Sequence, residues 1–168
     1  MAAIFRPRIW FLFVALACAG MLAYALSVQH TAVIDPCPLC GFHRVISMWI
    51  GAVALVAAVL NPAATGRWIL GILLIRGGVA GNAIAGRHLW LQSLPADQVP
   101  ECGMGLNYML DTMPVLYVFR EVLYGSGECA EVYWRFLGLT MPGWTFLWYI
   151  VFTVGTISVL IMASRARA

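Results

Sequence analysis

The chain has 168 residues, 62% of them hydrophobic and only 10% charged, with a mean hydropathy of +0.88 and a formal charge of +3. One domain fits that length, but a soluble globule carries about 25% charged residues, so the composition excludes an ordinary water-soluble fold and makes lipid the expected solvent. No basic stripe, basic tail or zinc-finger spacing occurs, which excludes a nucleic-acid module.

Four apolar segments are long enough to cross a hydrocarbon core of about 30 Å, which takes about 20 helical residues. The first lies near 9–29, after Arg6 and Arg8. Its "AYA" at 23–25 imitates a cleavage site, yet the run exceeds the about 7–15 apolar residues of a signal peptide, so it is expected to remain as a span. A short loop over 30–42 carries "DPCPLCGFHR" and leads into the second span, near 43–60. "NPAATGR" (61–67) reads as a tight turn, with Asn-Pro and Thr-Gly as breaks. The third span, near 68–89, contains Gly71, Gly77, Gly78, Gly81 and Gly86, small residues that let helices approach closely. It also contains Arg76, expected to bond to the carbonyls of a neighbouring helix because an intramembrane charge needs a partner.

The long loop over 90–143 is the one sizeable polar region. Within it "MPVLYVFREVLYG" (113–125) predicts a short helix on the membrane surface, with Pro114 in its first turn. "GSGECAE" (125–131) supplies turn chemistry. Trp134, Trp144 and Trp148 suit a headgroup belt before the fourth span, near 144–162. The expectation is an all-α membrane protein: a single domain over 1–168, folded as an antiparallel four-helix bundle with short connections.

Charge sets the expected orientation. Arg6, Arg8, Arg67, Arg165 and Arg167 flank the spans on one side, while all seven acids (Asp35, Asp97, Glu101, Asp111, Glu121, Glu128, Glu131) fall in the two other loops. The arginine side is expected to be cytoplasmic, with both termini inside and the cysteine-bearing loops outside.

Of five cysteines, Cys18 sits midway through the first span, where a thiol behaves as a small hydrophobe. Cys37, Cys40, Cys102 and Cys129 fall in the outer loops, where an oxidising compartment favours disulfides. A structural bridge between Cys37 and Cys40 closes almost no chain and would add little stability. A CxxC pair instead lets one thiolate attack and the other resolve, and Cys40 lies where the second span begins, so the helix N-terminus favours its thiolate. Arg44, one turn on, shares that face; a guanidinium there needs a partner, and the Cys40 thiolate or an anion beside it is the expected one. Cys102 and Cys129 close a longer loop and fit a staple or a shuttle equally. Zinc held by the four outer cysteines lacks a second CxxC, so no metal is expected; haem attachment needs CxxCH, and Gly41 stands in the last position. His30, His43 and His88 map to outer helix ends, and His43 is close enough in sequence to face Cys40. A dithiol at the lipid boundary can pass two electrons and two protons to an acceptor dissolved in the bilayer, for which a quinone is the natural candidate.

"PCPLC" with Arg44, "GRHLWLQSLP" (86–95), "CG" at 102–103 and "SGECAEVYWRFLGLTMPGW" (126–144) resemble the DsbB family of bacterial inner-membrane disulfide bond formation proteins over nearly the whole chain. The resemblance implies a thiol:quinone oxidoreductase of the bacterial inner membrane. It would reoxidise a DsbA-like periplasmic thiol oxidase and pass electrons to ubiquinone or menaquinone. It further implies that Cys102 pairs transiently with the soluble oxidase, that Cys129 relays electrons to Cys37, and that Cys40 faces the quinone. Arg44 matches the arginine that assists the quinone; His88 and Gln92 match positions near it. Two other readings compete: an outward-directed thiol reductant, which needs cysteines inside its spans where only Cys18 qualifies, and a non-enzymatic scaffold with stapled loops.

Overall fold

The computed structural model describes residues 7–32, 37–95, 97–99, 106–125, 127–132 and 134–165. Cys102, Arg6, Asp35, Glu101 and Arg167, all used above, lie outside the described residues. Four long helices form the body: α1 (Pro7–Ala32), α2 (Pro38–Leu60), α3 (Ala64–Gln92) and α6 (Met141–Arg165). At 1.5 Å per residue, each is long and apolar enough to cross a membrane. Each also runs past the segment its apolar residues mark, the helical ladder continuing into the flanking residues.

Short connections make neighbours antiparallel. α2 ends where Asn61 takes a left-handed conformation (φ 39°) and its amide bonds the Ala57 carbonyl at 3.1 Å; asparagine tolerates this better than other non-glycine residues. α3 packs on α2 and along α6. The α3–α6 approach depends on glycine: a Cβ at Gly81 would sit 2.7 Å from the Tyr149 ring. Gly77 instead faces Ile50 and Trp49 of α2. The buried set on α3 (Leu74, Gly77, Gly78, Gly81, Ile84, Ala85, His88) follows the helical period. Arg76 falls on the opposite side: it is exposed and, among the described residues, makes no hydrogen bond or ion pair. This corrects the expectation that it would bond to a neighbouring helix. The interface stripe is already taken by the glycines beside it.

The main core is built from Phe11, Val14, Ile50, Ala54, Leu74, Tyr149 and Phe152, with Cys18 buried among them. α1 and α6 touch chiefly at one end, where the Trp10 indole lies against Gly155 and donates to Thr156 Oγ1 at 3.0 Å. Towards the cysteine end they part.

That end is capped by the long loop, which holds α4 (Leu106–Thr112), α5 (Val115–Tyr124), a 3₁₀ turn (Gly127–Cys129) and a two-residue hairpin of β1 (Arg135–Phe136) with β2 (Leu139–Thr140). Pro114 stands just before α5 rather than inside it, its carbonyl accepting from the Tyr117 and Val118 amides. α5 buries Val118 and Val122, one turn apart, against Leu39 and Leu91, while Leu116 is 82% exposed. It is apolar on more than one face, since Val115 and Leu116 are exposed while Val118 and Val122 are buried. Arg87 Nη2 donates to the Tyr124 carbonyl at 2.7 Å, tying α3 to the C-terminal end of α5, where the helix dipole favours a cation. The hairpin turns on Leu137 (φ 50°) and Gly138 (φ 81°), consecutive positive-φ residues of the kind that match strand twist in a tight turn.

Candidate functional site

Cys37 caps α2 and Pro38 occupies the first helical turn, where its missing N–H costs nothing. The Cys37 carbonyl accepts from the Gly41 amide at 3.2 Å. The turn so formed sets the Cys37 Sγ 2.9 Å from the Cys40 Sγ, with Cys37 donating. Cys129, fully buried at the end of the 3₁₀ turn, meets Cys37 from the other side, and their sulfurs lie within 4.8 Å of each other and of a ring nitrogen of His88. A hydrogen bond from Cys129 lowers the Cys37 pKa, but the bond to Cys40 and burial outweigh it and push the Cys37 thiol up to about 12. Cys37 thus holds its proton and Cys40 accepts from it, the division of roles an attacking and a resolving thiol need.

Cys37 and Cys40 open onto a cavity of about 740 Å³. α1 and α6 form its two sides, α2 and α3 its back, and the hairpin its roof. Most of the wall is apolar and aromatic, from Phe13, Met21 and Tyr24 to Trp134 and Trp148. The polar groups converge at the sulfur end: Arg44, His43, Ser47, His88, Gln92, Glu128 and Glu131. An apolar cleft with a few placed polar groups is the usual form of a small-molecule site.

Arg44 makes no hydrogen bond to Cys40, but its positive charge acts on that sulfur, as expected of a guanidinium one turn away. Its Nη1 donates to Gln29 Oε1 at 2.6 Å and its Nη2 to the Ala25 carbonyl at 3.5 Å, both on the last turns of α1. The guanidinium is thus fixed across the cavity mouth while remaining on the wall it shares with Cys40. Gln92 accepts from Thr140 Oγ1 at 2.8 Å, joining α3 to the hairpin. His43 stacks on Tyr149, with centroids 6.2 Å apart, and lies 5.6 Å from the His88 ring. Tyr149 Oη donates to the His43 carbonyl at 3.0 Å and receives Ser47 Oγ at 2.9 Å. Both nitrogens of His43 and the Nδ1 of His88 are buried without a hydrogen-bond partner among the described residues. Such orphaned donors and acceptors are rare in a finished interior and suit a site that receives a polar ligand.

The profile of the family described as Disulfide bond formation protein DsbB matches residues 7–159. The chain is 49% identical over 139 residues to disulfide bond formation protein B of Marinobacter nauticus, covering 83% of each chain. It is 52% identical over 133 residues to that of Nitrosococcus oceani, covering 79% of each. With that of Chromobacterium violaceum it shares 48% over 147 residues, 88% of this chain and 86% of the other. The chain belongs to the DsbB family. Its role is therefore in disulfide bond formation, and its architecture is the four-helix membrane bundle the sequence led us to expect.

Within this DsbB-family fold, Cys37, Cys40, Cys129, Arg44, His88 and Gln92 come together at one end of the bundle. Cys102 lies outside the described residues. Sequence reasoning missed Gln29, Ser47 and Tyr149. Gln29 is a polar residue in the last turns of an otherwise apolar span, which is a signal; Tyr149 offers none, since an aromatic there reads equally well as core. The tryptophans expected at the headgroups, Trp134, Trp144 and Trp148, are part-exposed and line the cavity, and Trp144 Nε1 donates to the Phe136 carbonyl at 3.1 Å.

Proposed function

We propose that the protein is a thiol:quinone oxidoreductase of the bacterial inner membrane, with both termini cytoplasmic, which reoxidises a DsbA-like periplasmic dithiol oxidase. The observation that carries the reading is the meeting of a hydrogen-bonded dithiol with an apolar cavity walled by membrane-length helices. A water-soluble substrate has no need of such walls; a lipid-dissolved ring does. The residues fit a quinone, since orphaned imidazoles and a fixed guanidinium face the cavity. A bound quinone, ubiquinone or menaquinone, would supply an acceptor for two electrons and two protons.

Each turnover exchanges one reduced dithiol in the partner for one disulfide, and two electrons leave through Cys40. As the disulfides exchange, Cys37 gives up its proton as its sulfur bonds to Cys129 or Cys40, and the sulfur displaced from that partner leaves as a thiolate that takes up a proton. Arg44 holds positive charge where negative charge develops, the kind of preorganised stabilisation that outweighs other catalytic effects in dry sites. His88 and His43 stand where protons are needed, and Gln92 holds the roof in place. Five arginines and no acids in the sequence flanking the spans on the side away from the cysteines support the orientation.

The test is turnover of a reduced DsbA-like protein with quinone by the purified protein in detergent, with extraction and identification of any bound quinone. The Cys40→Ser variant is expected to abolish quinone reduction. Full turnover by that variant would refute the mechanism.

A further inference from the structure

We propose that the reduced protein binds a zinc-class divalent cation in a Cys₃His site formed by Cys37, Cys40, Cys129 and His88. Three separate elements deliver these donors: the N-terminus of α2, the outer end of α3 and the 3₁₀ turn of the long loop. The Cys37 and Cys129 sulfurs and a His88 nitrogen all lie within 4.8 Å of one another, and Cys37 Sγ is 4.0 Å from His88 Nε2. Around a tetrahedral zinc with Zn–S bonds of about 2.3 Å, sulfurs stand about 3.8 Å apart, so these three need only small shifts to close on one ion. Cys40 completes the set through C-x₂-C spacing, a regular zinc-ligand spacing, and three cysteines with one histidine are a regular structural donor set. Its sulfur, 2.9 Å from Cys37, stands outside the group of three and must rotate about its side-chain bond toward Cys129 and His88 to become the fourth ligand. Cys40 is half-buried on the cavity wall, where it has room to do so.

Soft thiolates with one imidazole in a closed tetrahedron select zinc over calcium, magnesium or manganese. The Nδ1 of His88 has no partner among the described residues, so no bond through that atom opposes ligation by the ring. The cavity provides a route in. Binding exchanges protons and moves no electrons: one Zn²⁺ displaces up to three thiol protons and leaves a complex of net charge −1, with Arg44 on the same wall. While the ion is held, the sulfur electron pairs that would attack or form a disulfide are engaged in metal bonds. The site is therefore a brake on the reduced enzyme, released when any two of the sulfurs are oxidised to a disulfide. The inference needs only that these cysteines be reduced together; it does not depend on the nature of the electron acceptor.

Cobalt(II) is the probe. The full-length protein in detergent, reduced with a phosphine and kept anaerobic, is titrated with cobalt(II) and then with zinc(II). The expected result is one cobalt per chain with the visible bands of tetrahedral cobalt and thiolate charge transfer, bleached by one equivalent of zinc. Cys129→Ser and Cys40→Ser should each lose about a third of the charge-transfer intensity. Cys18→Ser, far from the cluster, should lose none. Disulfide formation with diamide should abolish the bands in the unmutated protein, which tests the site without any variant that might misfold. Octahedral spectra only, full intensity in Cys129→Ser, or bands that survive oxidation would each overturn the proposal. Quinone reduction measured separately in a chelator fails or succeeds independently of these outcomes.

Discussion

Replacing Gln29 with leucine tests whether Arg44 works because α1 holds it. The bond from Arg44 Nη1 to Gln29 Oε1 is 2.6 Å long, and the remaining contact to the Ala25 carbonyl is 3.5 Å. A hydrogen bond to a charged group contributes about 1.5–3 kcal/mol. Arg44 is only half-buried, so solvent screening favours the lower end. About 1.4 kcal/mol corresponds to tenfold. Gln29→Leu should therefore leave Arg44 correctly placed about ten times less often and raise the KM for a soluble short-chain quinone about tenfold. Thiol–disulfide exchange with the protein partner should not change, because no sulfur touches Gln29. The assay is steady-state quinone reduction at varied quinone, with exchange followed separately by stopped-flow mixing with the reduced partner. Arg44→Leu serves as the reference for complete loss of the cation. An unchanged KM in Gln29→Leu, alongside a raised KM in Arg44→Leu, would show that the arginine needs no holder.

Two other outcomes are expected. The Cys37 thiol, pushed up to about 12 from 9.0, should be alkylated by iodoacetamide about 1000-fold more slowly near neutral pH than an ordinary cysteine, because only the thiolate reacts; its rate should still be climbing at about pH 10, and a plateau near 9 would contradict the assignment. Arg76→Leu should leave turnover unchanged and improve membrane insertion by about 2.5–3.5 kcal/mol, read as the inserted fraction in a translocation assay; a loss of turnover would show that the exposed guanidinium has a partner in the working enzyme.

The four spans were legible because bilayer thickness dictates their length and composition, and nothing in the loops can disguise a run such as "VISMWIGAVALVAAVL". The CxxC at the head of α2 was legible for a similar reason: three-residue spacing on a helix start fixes the sulfur separation almost regardless of context. Arg76 was misjudged because the rule that intramembrane charges face inward was applied without the helical phase, and that phase belongs to Gly77, Gly78 and Gly81. The adjacency of Cys129 to Cys37 was available only through family resemblance, since loop folding rather than spacing creates it. Gln29 stood out as a polar residue in an apolar span, but its pairing with Arg44 arises from how α1 crosses α2, which no local pattern encodes. The hairpin escaped for want of the usual Asn-Gly turn; Leu137 carries a positive φ that its residue type would not suggest.

The division of the bundle into a tight end and a loose end bears on the proposed route of the electrons. At the tight end, Trp10 fills the gap between α1 and α6 by lying on Gly155. At the loose end the same two helices part around the cavity, so Cys40 is reachable from the side, whereas α5 and the 3₁₀ turn cover Cys37 and Cys129 from above. A soluble protein partner meets neither of those two sulfurs directly, since Cys37 is 8% exposed and Cys129 fully buried. Cys18 is sealed in the core. Cys102 lies outside the described residues, and its exchange with a water-borne dithiol is what the family resemblance implies. The closed cap and the half-buried Cys40 fit the proposed direction of traffic from buried relay to cavity, while its first step, through Cys102, rests on the family resemblance.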